Sequence, residues 1–142
     1  MITIEALESY KIPKESYSLI KRLIKKFNTQ ESLYLNSILS FKDSPYVIYR
    51  DFYHVDNGVV AFIDVTTIDE ENANVVVGVL PEYRRKGIAF SLIHKMEMLI
   101  NFKGYLNMKC DKNNEAAQSL AKRLGYKFDE RTLTNLIYKK EI

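Results

Sequence analysis

Val75-Val76-Val77-Gly78-Val79-Leu80-Pro81-Glu82-Tyr83-Arg84-Arg85-Lys86-Gly87-Ile88-Ala89-Phe90 decides the fold. Its first residues are an almost unbroken apolar run, Val75 to Leu80, which suits a strand covered on both faces. Pro81 cannot donate to a sheet ladder, so the strand should end there. From Ile88 the period changes. Ile88, Leu92, Met96 and Leu99 recur at helical spacing, with Ala89, Ile93 and Ile100 beside them. Ser91, His94, Lys95 and Asn101 fall between them as a solvated face. The stretch therefore reads as strand, short basic loop and amphipathic helix near 86–101.

The junction carries the chemistry. A helix's first turn has unpaired backbone N–H groups and the positive end of a dipole. Gly87 lets a ligand approach the backbone closely. Arg84, Arg85 and Lys86 add three cations, and the combination suits phosphate. The plainer alternative is an ordinary strand-to-helix turn with solvated basic residues.

Working outward, Tyr105 to Cys110 is a short strand after the Lys103-Gly104 turn. Strand, helix, strand in that order allows a parallel pair through a right-handed crossover. Asp111-Lys112-Asn113-Asn114 offers capping residues, and a helix follows near 114–124 with Ala117, Leu120, Ala121 and Leu124 inward. Gly125 suits the position just past its end. Residues 126–130 and 133–139 read as a final strand pair. Upstream, 46–55 and 59–67 are strand-like, joined by Asp56-Asn57-Gly58, whose Asn and Gly tolerate positive φ. Before them, 1–8 could form a strand, and apolar stripes predict helices near 13–27 and 30–40, ended by Asp43-Ser44-Pro45. The layout is one α/β domain over 1–142, a mixed, mostly antiparallel central sheet with helices on both faces.

Composition agrees. The chain has 142 residues, 46% apolar and 27% charged, enough for one proper core. No apolar run reaches membrane-spanning length, and residues 1–10 lack a basic-then-apolar signal pattern. Cytoplasm is the expected location, with no membrane partner. The single Cys110 excludes an internal disulfide, and neither His54 nor His94 has metal-ligand spacing, so no metal is expected. A net charge of +3 fits a small anionic ligand at least as well as nucleic acid, and no nucleic-acid motif is present. Lys21, Arg22, Lys25 and Lys26 read as the wet face of a helix. A homodimer is compatible with these readings.

Two blocks carry a family resemblance. Arg84-x-x-Gly87-x-Ala89, after an apolar strand and Val79-x-Pro81-Glu82-Tyr83, resembles the acetyl-CoA signature of the GCN5-related N-acetyltransferases, Gln/Arg-x-x-Gly-x-Gly/Ala. Asn114, Ala117, Leu120, Leu124, Gly125 and Tyr126 resemble that family's later motif, Asn-x-x-Ala-x-x-Leu-Tyr-x-x-Leu-Gly-Phe. An amphipathic helix with a glycine cap would explain each piece of the second block separately. Two blocks in the right order, with a helix and a strand between, are harder to reach by chance. The likeness is clear over roughly 59–130, and the N-terminal helices match only in order.

The resemblance implies acetyl-CoA as cosubstrate and a primary amine as acceptor: a small molecule, a peptide N-terminus or a lysine. It implies direct attack on the thioester. The family's fourth and fifth strands, here 73–80 and 105–110, splay around the pantetheine arm. Backbone groups near Val77 and Val79 would bond that arm, and an N–H there would polarise the carbonyl. Arg84, Arg85, Lys86, Gly87, Ile88 and Ala89 would form the pyrophosphate loop, and Asn114 would contact the cofactor from the later helix. One departure stands out: Ala121 occupies the place of the tyrosine proposed to protonate the leaving thiolate. A thiol of pKa near 8.5 forgoes only about 2 kcal/mol by leaving as thiolate at pH 7. Tyr126 and Tyr138 are the candidate substitutes.

An alkylammonium of pKa near 10.4 costs about 4–5 kcal/mol to deprotonate at pH 7, so a base matters more than the acid. The strand 73–80 has none. Asp64, inside the apolar 59–65 strand, is the first candidate, and its plainer reading is an outward-facing strand residue. Asp111 is second and otherwise a helix cap; Glu82 reads as a loop residue. Cys110 reads as a structural thiol, without a histidine partner. Tyr34, Tyr46, Tyr49 and Tyr53 would line an amine pocket or simply pack the core. The rival function is a non-catalytic, CoA-binding regulatory module.

Overall fold

The computed structural model describes residues 46–55 and 58–142. The strand and two helices expected over 1–40, the stop at 43–45 and the hairpin tip Asp56-Asn57 lie outside the described residues. Strand β1 (Val47–Val55) pairs antiparallel with β2 (Gly58–Thr67), and β2 pairs antiparallel with β3 (Asn72–Val79). A 3-10 turn, Pro81–Tyr83, leads into helix α1 (Ile88–Leu99). Then follow β4 (Tyr105–Asp111), helix α2 (Glu115–Arg123), β5 (Lys127–Arg131) and β6 (Asn135–Glu141). The sheet order is β1-β2-β3-β4-β6-β5, and β3–β4 is its one parallel pair among the described residues. This is the mixed, mostly antiparallel α/β sheet that the sequence predicts. None of the described helices is long and apolar enough to cross a membrane.

Alternation along the strands separates two faces. Asp51, Ile63 and Val77 are cross-strand neighbours, and Asp51 lies 3.6 Å from Lys95 of α1, so these residues face the helix. Arg50, Asp64 and Val76 are neighbours on the opposite face. Helix α1 buries Ile88, Leu92, Ile93 and Met96, each worth about 1.5–3 kcal/mol of apolar transfer. Leu99, the last residue of α1 and counted in the same stripe by periodicity, is 54% exposed, while Met96, in the same turn, is fully buried. Val76 and Val77 are only half-buried, so β3 is not covered along its whole length. Position 78 is glycine for a packing reason: a Cβ there would lie 2.3 Å from the Phe62 ring.

Asp51 is the unusual core residue. It is fully buried, its Oδ2 faces Lys95 and, at 3.5 Å, the Tyr49 hydroxyl, and its Oδ1 has no hydrogen-bond partner among the described residues. Burial pushes its carboxyl up to about 6, against the opposing pull of the Lys95 charge and the Phe52 backbone N–H. The folded chain therefore holds this proton more tightly than the unfolded chain does. Stability is greatest below the ordinary carboxylate value and falls as pH rises to about 6. The rise is equivalent to about 3 kcal/mol. Asp51→Asn should raise stability at pH 7–8 by up to that amount and flatten the slope between pH 4 and 6. Urea unfolding across that range checks it, and an unchanged slope would assign the pH dependence elsewhere.

Candidate active site

The parallel pair opens. β3 and β4 are in register only from Asn72↔Tyr105 to Val75↔Met108. Beyond that point β3 stays with β2 up to Val79↔Ala61, while β4 stays with β6 up to Asp111↔Asn135. Among the described residues, each strand thus keeps one partner and loses the other, leaving a cleft between them.

The ladder says which groups face the cleft. Leu80 N–H donates to the Val60 carbonyl at 2.9 Å, making Leu80·Val60 a hydrogen-bonded pair. Alternation then turns the backbone of Gly78 and Val76 toward β2, and that of Val77 and Val79 toward the opened side. Among the described residues, no strand satisfies them there. Buried backbone polar groups require partners, so such an edge is built for water or an extended ligand. The Val79 carbonyl already has a partner, the Nε–H of Arg84 at 2.9 Å. Arg84 therefore braces the loop back onto β3, a role the sequence motif did not reveal.

The basic loop closes the open end of this cleft. Arg85 adopts φ 63 and Gly87 φ 79, left-handed positions that turn successive N–H groups into a concavity. For Arg85 this is uncommon backbone; for Gly87 it is a reason to be glycine. Space beside Gly87 is open, since an added Cβ would meet nothing within 4 Å. Gly87 caps α1 with no side-chain hydrogen bond, and the first turn holds no acid, so the helix N–H groups and dipole are left uncompensated. Arg84, Arg85, Lys86 and Gly87 are all exposed, and Lys86 Nζ lies 5.4 Å from the Tyr83 ring centre.

The remaining candidates divide. Asn114 is the N-cap of α2, its Oδ1 accepting from Ala117 N–H at 3.0 Å, which leaves its amide N–H groups facing outward. Asp111 Oδ1 accepts from Asn113 N–H at 2.8 Å and shapes the turn before that cap. Glu82 is exposed in the 3-10 turn. Asp64 is not the outward residue of the plainer reading. It is buried, and both oxygens accept from Arg50, Nε to Oδ1 and Nη2 to Oδ2, each at 3.1 Å. Its cross-strand neighbour Val76 is the first β3 residue beyond the last β3–β4 pair, so Asp64 sits one strand from the cleft.

Tyr138 is buried opposite Met108, the last β4 residue still paired with β3, and its ring meets Phe128 edge-on. Tyr126 is also buried, but its hydroxyl donates to Glu97 at 3.0 Å; burial and the Glu97 charge push its pKa up. Lys140 bonds the same carboxylate and the Leu124 carbonyl, so Tyr126 belongs to a brace between α1, the α2 end and β6. Ala121 is fully buried, and its carbonyl accepts from Tyr126 N–H while Gly125 N–H bonds Lys122, a helix stop of the expected kind. Cys110 is buried at a strand end and its thiol is pushed up to about 11 by that burial, as suits an inert residue. Arg50 and Asp51 escaped sequence reasoning, and Lys95, expected on the solvated face of α1, instead reaches inward to buried Asp51 at 3.6 Å. The signal for Arg50 was available: a lone Arg in one apolar strand, placed by the hairpin opposite a lone Asp in the next.

The site is thus a half-open parallel pair with a basic loop and an uncapped helix N-terminus at its mouth. The chain belongs to the acetyltransferase (GNAT) family, whose family model matches residues 9–126, and by family it is an N-acetyltransferase. Solved structures share the fold. A GNAT acetyltransferase from Bacillus cereus superposes with TM-score 0.75 at 17% identity, covering 92% of this chain and 94% of that one. The PaiA N-acetyltransferase of Thermoplasma acidophilum, in complex with coenzyme A, gives 0.66 at 20% identity over 99% and 96%. The N-acetyltransferase PseH of Campylobacter jejuni, in complex with acetyl coenzyme A, gives 0.65 at 14% over 93% and 94%. No curated protein matches the sequence.

Proposed function

We propose that the protein transfers an acetyl group from acetyl-CoA to a primary amine by direct attack on the thioester. The observation that carries this reading is the cleft itself: β3–β4 pairing stops at Val75↔Met108, with Val77 and Val79 turned into the gap below the basic loop. The residues present fit the cosubstrate. Backbone N–H groups from Arg85 to Ala89, with Arg85 and Lys86, would hold the pyrophosphate. The backbone of Val77 and the N–H of Val79 would run along the pantetheine arm, and an N–H there would polarise the carbonyl. The free amide of Asn114 would reach the cofactor from α2. Acetyl-CoA, when bound, supplies the activated acyl carbon.

Acid and base are assigned to opposite sides. Asp64 faces away from α1 and would take the acceptor's proton through water; Tyr138 faces the helix side and would supply a proton toward the sulfur. Amine and leaving group then use different faces of the sheet. The acceptor is a small amine, a peptide N-terminus or a lysine side chain.

A second reading has specific support. Both Asp64 oxygens are held by Arg50, the Tyr126 hydroxyl is engaged by Glu97, and Ala121 stands at the usual tyrosine place. These favour a module that binds CoA without turnover. Calorimetric titration with acetyl-CoA, followed by thiol release against a panel of amines, separates the two. Binding with amine-dependent thiol release is the expected result. Binding with no release for any amine would favour the regulatory module, and no binding would remove the CoA site.

A further inference from the structure

Coenzyme A carries phosphate at two places, the pyrophosphate and the 3′-phosphate on its ribose, and the loop of Arg85 to Ala89 accounts for only the first. A second cationic position lies beside it on a different element. Arg123, in the last turn of α2, places its guanidinium carbon 5.1 Å from the centre of the Phe90 ring. Phe90 is in the first turn of α1, three residues from Gly87, or about 4.5 Å along the helix axis. Its ring is also stacked on His94, at 6.1 Å and 19° between planes. The aromatic pair gives the guanidinium a fixed shelf at the mouth of the loop. Arg123 is exposed, and no carboxylate pairs with it among the described residues. Lys122, the other base of that last turn, is exposed as well.

We infer that Arg123, seated on Phe90, binds the 3′-phosphate of coenzyme A and makes the site select the phosphorylated cofactor over its 3′-dephospho form. This rests on the acetyl-CoA site proposed above. Three features favour it. The guanidinium is planar and matches a phosphate with two parallel N–H groups, so the aromatic shelf leaves its donor edge available. Stacking on a ring limits the side-chain freedom that would otherwise be lost on binding. And because Arg123 comes from α2 while the pyrophosphate loop precedes α1, two anionic groups on one flexible cofactor are held from two separate elements. Phe90 acts only through Arg123 and is a positioning residue.

The test compares CoA with 3′-dephospho-CoA by calorimetry on the full chain, for the parent, Arg123→Gln and Phe90→Leu. The parent should bind CoA about 10- to 100-fold more tightly than dephospho-CoA, the range for one charge-assisted contact. Arg123→Gln should remove that preference by weakening CoA alone, leaving dephospho-CoA within about twofold. Phe90→Leu should lose part of the preference, with Arg123 kept but unseated. Arg123→Lys should restore part of it through charge. Thermal melts of the Arg123 variants should match the parent, since Arg123 lies on the surface, whereas Phe90→Leu removes part of a half-buried ring and should melt somewhat lower. In turnover, Arg123→Gln should raise KM for acetyl-CoA without lowering kcat. Equal weakening of both ligands would mean that Arg123 supports the adenosine or the helix rather than the phosphate. No preference in the parent would also overturn the inference. Failure of the parent to bind either ligand would remove the acetyl-CoA site itself.

Discussion

Gly87→Glu abolishes acetyl-CoA binding at concentrations that saturate the parent, with the fold retained. The two halves of this expectation have separate causes. Gly87 sits at φ 79, where a side chain is strained by about 1–3 kcal/mol, but a Cβ there meets nothing within 4 Å. The folding cost is confined to that backbone strain. Binding suffers far more. A carboxylate would stand at the uncapped N-terminus of α1, on the ground the pyrophosphate is expected to occupy. Two like charges about 4 Å apart near a protein surface repel by about 4 kcal/mol, roughly a thousandfold in affinity. Gly87→Asn is the control, because Asn tolerates the left-handed region and adds no charge. It should bind within about tenfold of the parent. Circular dichroism and calorimetry on both variants decide the matter. If Gly87→Glu binds acetyl-CoA within tenfold of the parent, the phosphates lie elsewhere.

The elements that were legible in the sequence were those with strong local periodicity. The apolar run before Pro81, the helical stripe from Ile88 and the glycine stop at Gly125 all fix structure through nearby residues, and the described strands and helices fall within one or two residues of expectation. The opening of β3 from β4 was implied by family likeness, not by the residues: Val75 to Val79 looks uniform, and nothing in it marks where pairing stops. That boundary depends on which neighbour each strand follows. Side-chain partners across the sheet were harder still. Arg50–Asp64 and Asp51–Lys95 join residues 14 and 44 positions apart, and whether Asp64 points inward depends on register. Arg84 shows a third kind of limit. Its place in the motif suggested a phosphate ligand, yet its Nε is engaged by the Val79 carbonyl, which only the folded loop could show.

The Arg50–Asp64 pair carries the second large effect, and it separates structure from catalysis. Both side chains are about 2% exposed and meet through two parallel hydrogen bonds. Removing one member of such a buried pair typically costs about 3–5 kcal/mol, while replacing both with apolar residues of similar size is often neutral. Arg50→Met should therefore destabilise by that amount, and Arg50→Met combined with Asp64→Leu should recover most of it. A urea double-mutant cycle measures the coupling directly. Catalysis gives an independent reading of the same carboxylate. Asp64→Asn keeps the side chain's size and shape but has one acceptor oxygen where Arg50 uses two, and it accepts no proton. If Asp64 is the base, the variant should bind acetyl-CoA normally, lose about 100-fold in turnover at pH 7, and regain much of it at high pH, where the acceptor amine is itself more often neutral. If the pair is only a structural clamp, Asp64→Asn should be less stable yet turn over normally at temperatures where it remains folded. A kcat at pH 7 close to the parent's would remove Asp64 from the proton path and leave Arg50–Asp64 as the clamp that fixes β1 against β2 beside the cleft.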